Sequence, residues 1–327
     1  MSAFLLAFLL APPDPVTAER GRAASDALLR GDPTELAPRM TPQMLAAVGG
    51  PAGLQRFAAE VRAKVGTEGE LLREEAFPED SNISYHRESE FERVPKVTLN
   101  WVFASDGRIS GAWVGPSPVP AATPHADYRT KAPLRLPFGR PEGGGGWYVS
   151  WGGRDAIRNY HVIASDQRFA TDFLLVRGGA WAKAGGLRNE DHYCWNQPLI
   201  APAAGRIVSA MATVPDNPRP GQKLPGVTPP GNHVVIDHGK GEHSLIAHFR
   251  QGTLRVRAGQ QVAAGQLLGL CGNSGNSSQP HVHYHLQTGI RFGEVLGLPA
   301  FFNGYEADGT PVHRGEPQRG EVVVPAE

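Results

Sequence analysis

The chain has 327 residues and equal numbers of basic and acidic side chains, 32 of each, so its formal net charge is zero. That length gives room for two domains and at least one sizeable core. The charge balance leaves no basic excess to neutralise phosphates, which argues against a nucleic-acid-binding role. With 40 glycines and 29 prolines, turns are dense, yet 40% of the residues are hydrophobic, too many for a disordered chain.

Residues 1–14 open on MSAFLLAFLL, an apolar run too short to span a bilayer. Small residues follow it, as after the hydrophobic core of a signal peptide, although no Lys or Arg precedes it. We read it as a possible leader of an exported protein. No later segment is long and apolar enough to cross a membrane.

Residues 15–116 read as a small α+β domain. AERGRAASDALLRGD is a helix, with Ala24, Leu28 and Leu29 on one side, closed near Gly31-Asp32-Pro33. A short helix follows Asp32. TPQMLAAVG is a third, with Thr41 as N-cap and Pro42 at the first helical position, and residues 51–64 form a fourth. After Gly69 the period becomes strand-like: SNISYHRESEFE, KVTLNWVFA and ISGAWVGP, with a turn at Ser105-Asp106-Gly107. Helices followed by a small antiparallel sheet resemble the NTF2-like domains in element order. Residues 117–146, rich in Pro and Gly, read as a linker.

Residues 147–327 read as the second domain. Residues 139–327 hold 30 of the 40 glycines and most of the histidines: only His86 and His125 precede residue 139. Candidate strands are 147–151, 170–176, 205–212, 232–238, 243–249, 253–257, 266–271 and 281–287. Their regular spacing indicates a mainly antiparallel β sandwich or barrel. Cys194 and Cys271 match no metal knuckle or redox motif, leaving one disulfide or two buried thiols.

The chemistry concentrates in PHVHYHL. A strand alternates faces, so His281, His283 and His285 share one side and Val282, Tyr284 and Leu286 the other. Imidazoles on one face of a rigid strand make half of a metal site. The loop before it, Cys271 to Gln279, is small and polar.

Over residues 196–290 the chain resembles the lysostaphin/LytM-type zinc peptidases, peptidase family M23. The matching pieces are APAAGRIV, GNHVVIDHG, AHF, VRAGQQV, AGQLLG, GNSG and PHVH, in that order. The resemblance implies a duplicated-hybrid-motif-like β fold, one Zn2+ per chain, and peptide-bond hydrolysis in bacterial peptidoglycan. It implies that His283 is a zinc ligand, that His281 takes a proton from the attacking water, and that His248 donates to the developing oxyanion. His285 is implied as a supporting residue. Zinc would acidify the water and polarise the scissile carbonyl.

The upstream half-site departs from the family pattern of His-x-x-x-Asp. Asp172 is the expected acidic ligand, but Arg168 stands four residues before it and cannot ligate. His161, in Asn-Tyr-His, is taken as the replacement, with His192 as rival. Arg168 also motivates a second reading, a metal-free relative acting as a regulator or binding module. A third compares the rhythm of residues 256–269 with lipoyl, biotinyl and phosphocarrier domains, but no lysine lies between Gly241 and Gly293 to be modified.

Overall fold

The computed structural model describes residues 15–79, 82–183 and 185–326. The apolar run at residues 4–11, read above as a possible leader, lies outside them. Among the described residues no helix is long and apolar enough to cross a membrane. The chain divides into two compact units, meeting between Pro118 and Val119.

The first unit begins with helix α1 (Pro15–Leu29), a 3-10 turn (Pro33–Arg39), α2 (Pro42–Ala47) and α3 (Gly50–Val65). The caps follow the sequence. Asp32 accepts from the Thr34 N–H, and the Thr41 hydroxyl accepts from the Met44 N–H with Pro42 behind it. Strands β1 (Glu68–Glu79), β2 (Asn82–Phe91), β3 (Val97–Phe103) and β4 (Ile109–Pro116) then form an antiparallel meander in that order. Leu28, Leu36, Leu54 and Ala58 from the helices pack with Tyr85, Leu99 and Trp101 from the sheet. Gly21 is required where α1 crosses Tyr85, since a Cβ there would lie 2.3 Å from the ring. The buried Trp101 indole donates to Ser25 Oγ, which donates to the Gly21 carbonyl.

The second unit is mainly antiparallel β, as the sequence indicates. Its strands are β5 (Gly146–Trp151), β6 (Thr171–Val176), β7 (Pro198–Ile200), β8 (Gly205–Met211), β9 (His233–Asp237) and β10 (His243–Ala247). They continue with β11 (Gln261–Val262), β12 (Leu267–Leu270), β13 (Val282–Gln287), β14 (Gly297–Leu298), β15 (Phe302–Ala307), β16 (Thr310–Gly315) and β17 (Val322–Pro325). One large sheet runs β11-β8-β9-β10-β13-β6-β5-β17-β15-β16, with β14 also on β13, and a two-stranded sheet joins β12 to β7. The core gathers Phe138, Trp147, Phe173, Ile246, Tyr284 and Phe302, all essentially buried.

Two expectations change here. Residues 253–257 are not a strand; Val256 is buried, but the segment is held by the Arg255 N–H to Leu268 carbonyl bond rather than by a ladder. The stretch read as a linker is packed in its later half: Leu134, Leu136 and Phe138 lie in the core, and Phe138 stacks on Trp147 with ring centroids 4.0 Å apart. Residues 302–325 add strands β15 to β17 to the main sheet, with β17 pairing β5. The two cysteines form a Cys194–Cys271 disulfide.

Candidate metal centre

β13 sits between β10 and β6, and its alternation sorts its side chains. Val282, Tyr284 and Leu286 fill the core, while His283, His285 and Gln287 point to the opposite face and are also buried. Register does the rest. His283 is the direct partner of Asp172 on β6 and of Ala247 on β10.

That pairing brings His283 Nδ1 to 2.8 Å from Asp172 Oδ1. His161 arrives from a one-turn 3-10 segment (Tyr160–Ile163) capped by Asn159, with Nε2 3.5 Å from Asp172 Oδ2. One ligand atom from each of His161, Asp172 and His283 lies within 4.8 Å of the others. All three residues are buried.

The orientation of His161 is forced by Asn159. The Asn159 amide donates to the Gly153 and Ala170 carbonyls at 3.0 and 2.9 Å. Carbonyls only accept, so the nitrogen must lie on that side and Oδ1 must face His161. Oδ1 is 2.8 Å from His161 Nδ1, which therefore carries the proton and leaves a lone pair on Nε2, the atom facing Asp172.

The donor set fits a zinc ion. Burial drives His283 down to about 4 and His161 well below the ordinary imidazole value, so both rings are neutral near pH 7 and able to ligate. Burial lifts the Asp172 carboxyl to about 6, because its charge is poorly solvated there. A cation at the centre of the three groups would supply the missing compensation. Two imidazoles and a carboxylate are a catalytic type of zinc shell, with a coordination position left for water or substrate.

Two further histidines border the cluster. His281 Nδ1 donates to the Gln279 carbonyl at 2.8 Å, leaving Nε2 as acceptor 3.8 Å from Asp172 Oδ1. His248 Nδ1 donates to the Ser274 carbonyl at 2.7 Å, and its ring centroid is 4.7 Å from that of His281. Neutral His248 thus presents a lone pair at Nε2, and the donor role expected from the sequence requires a second proton. His248 lies one residue past β10 with φ of 62°, a left-handed conformation unfavourable for a non-glycine residue. Tyr160, Ile163, Pro229, Pro230, Asn276 and Phe292 form the walls of the cleft above these rings.

Arg168 takes no part. Its Nε donates to the Ala121 carbonyl and its guanidinium lies over Phe169. His192 is held elsewhere, with Nε2 3.2 Å from the Gly186 carbonyl. His285 does not face the centre; it lies behind His283, with Nδ1 2.9 Å from His283 Nε2.

The polar loop before β13 is fastened from outside. The Asn217 amide donates to the Gly275 and Ser277 carbonyls, and Asp216 accepts from the Asn273 and Gln251 N–H groups. Gly275, at φ of 81°, is needed because a Cβ would lie 2.4 Å from the Gly231 nitrogen. Sequence reasoning passed over Asn159, Asn217 and Gln287. Asn159 had a signal in the Asn-Tyr-His run, and Gln287 in its place two residues beyond His285 on the same strand face; Asn217 had none.

Residues 192–293 match the family model described as Peptidase family M23. The match contains His248, His281 and His283 but stops short of His161 and Asp172. Over 56 residues the chain is 43% identical to peptidoglycan DD-endopeptidase ShyA of Vibrio cholerae, a stretch covering 17% of this chain and 13% of that protein. Similar solved structures include the catalytic domain of the M23 protein EnpA from Enterococcus faecalis, at 20% identity and a TM-score of 0.32, covering 51% of this chain and 94% of that one. Another is the lysostaphin catalytic domain from Staphylococcus simulans, at 18% identity and a TM-score of 0.26, covering 47% and 86%.

Proposed function

We propose that the protein is a zinc-dependent endopeptidase that hydrolyses peptide bonds in bacterial cell-wall peptidoglycan, acting after export to the cell envelope. The observation that carries this reading is the convergence of His161, Asp172 and His283, with His161 and His283 lining one cleft together with His248, and His281 beside Asp172. The M23 match and the local identity to a peptidoglycan endopeptidase support the substrate class.

In this reading His161 Nε2, an Asp172 oxygen and His283 Nδ1 hold the ion. Bound zinc supplies Lewis acidity, which polarises a substrate carbonyl and acidifies water. The chain's own residues do the rest. His281, fixed by its Nδ1–H to Gln279, offers Nε2 as the base that takes the proton of the attacking water. The resulting imidazolium then has a proton for the leaving amine. His248 Nε2 faces the same space and, when protonated, donates to the developing oxyanion. Tyr160, Ile163 and Phe292 give the cleft apolar walls that exclude water from the peptide. Residues 15–118 are read as an accessory unit; the order of helices followed by a meander supports its comparison with NTF2-like domains.

Purified sacculi incubated with the zinc-loaded chain should release peptides with new amino termini, and His281→Ala should release none. Intact sacculi after treatment with zinc-loaded wild type would contradict the assigned substrate.

A further inference from the structure

Behind His283 runs a buried chain of side chains that the proposed chemistry does not use. Gln287 Nε2 donates to the Gly289 carbonyl at 2.8 Å. A carbonyl cannot donate, so the amide orientation is settled and Gln287 Oε1 faces the other way. There it lies 2.6 Å from His285 Nε2. An amide oxygen can only accept, so His285 Nε2 bears a proton. A neutral imidazole has one N–H, hence His285 Nδ1 is an acceptor. Its partner is His283 Nε2 at 2.9 Å, which must donate. With its proton on Nε2, neutral His283 has its lone pair on Nδ1, the atom 2.8 Å from Asp172.

We propose that His285 and Gln287 are positioning residues that fix the ring of His283 with its Nδ1 lone pair aimed at the metal. The inference rests on the metal centre assigned above. The direction of every bond in the chain is dictated from its far end, by the Gly289 carbonyl. His283, His285 and Gln287 are all buried, with the latter two showing no exposed surface, so water is not at hand to replace a lost partner. Apolar residues at 285 and 287 would leave the His283 Nε2–H without an acceptor. Asn159 does the same for His161 from the other side, so both imidazoles are set by amide side chains whose own nitrogens are tied to backbone carbonyls.

The test measures zinc affinity of the metal-stripped full chain by competition with a chromophoric chelator, with circular dichroism of each variant as the control for folding. Gln287→Met removes the acceptor and the donor at similar volume. Gln287→Glu keeps the acceptor and loses the donor. Wild type should bind one zinc, Gln287→Met should bind it roughly 10- to 100-fold more weakly, and Gln287→Glu should stay within about threefold of wild type. If Gln287→Met does not fold, His285→Phe tests the same link and should show the same weakening. Wild-type affinity in a folded Gln287→Met or His285→Phe chain would overturn the positioning role while leaving the metal centre intact. Equal weakening in both Gln287 variants would assign the residue a purely structural part and overturn it as well. Failure of wild type to bind zinc would instead remove the metal centre on which the inference rests.

Discussion

His283 and Asp172, 111 residues apart in the chain, face each other as direct partners across the β13–β6 pair, with 2.8 Å between imidazole Nδ1 and carboxylate. The half-site is thus a property of strand register. A one-residue slip of β13 would turn its histidines into the core and its Val-Tyr-Leu set outward. The sheet that buries Tyr284 is therefore the same device that presents His283.

The Asn159 amide sets His161, so Asn159→Ala should weaken zinc binding by about 10- to 100-fold without removing a ligand. Chelator competition on the purified variant checks this. Zinc affinity equal to wild type would show that the 3-10 turn alone suffices to aim the ring.

His248 sits at φ of 62°. His248→Gly should relieve that strain and be more stable than His248→Ala by about 1 kcal/mol, while both lose activity. Urea unfolding of the two variants gives the comparison. Equal stability would mean that the backbone there relaxes once the imidazole is gone.

Cys194 and Cys271 close a loop across a sequence separation of 77, and Cys271 leads into the polar loop before His281. Loop-closure entropy assigns such a bond about 4 kcal/mol. Unfolding midpoints with and without reductant should differ accordingly, with the reduced protein less stable. No difference would show that the disulfide adds nothing that the core has not already constrained.

In the first unit the Glu68 carboxyl is raised by burial but held below its ordinary value overall by hydrogen bonds from Arg87 and Ser89 and by the Arg87 charge. A depressed carboxyl contributes stability above its unfolded value, near pH 4.3, and loses it as pH falls through the folded value. Acid unfolding of this unit should therefore begin below about pH 4.3. Arg87→Met removes the hydrogen-bonded cation, leaving the carboxylate only the more distant Arg30, and should move the transition to higher pH. Circular dichroism against pH reads the shift, and an unmoved transition would rule out this pair as an acid-sensitive element.

Much of the site could be read from residues whose information is local. Period-two alternation put His281, His283 and His285 on one face, and the caps at Asp32 and Thr41 placed the helix starts. Non-local facts were out of reach. Nothing in the sequence pairs β13 with β6, so the approach of Asp172 to His283 was carried by resemblance to a family rather than by spacing. The disulfide needed two distant Cα atoms to be brought within 6.1 Å. Leu254 and Val256 alternate like a strand, but neither edge of that segment finds a ladder partner among the described residues. Arg168 drew attention as an obstacle because of its number, whereas its side chain points to the Ala121 carbonyl.

The central claim is that one zinc ion is held by His161, Asp172 and His283. Anomalous diffraction at the zinc edge from crystals of the zinc-loaded chain tests it most directly. A single peak about 2.0–2.2 Å from His161 Nε2, an Asp172 oxygen and His283 Nδ1 is expected. Zinc-loaded crystals with no peak between these atoms, or with the peak on other residues, would contradict the account.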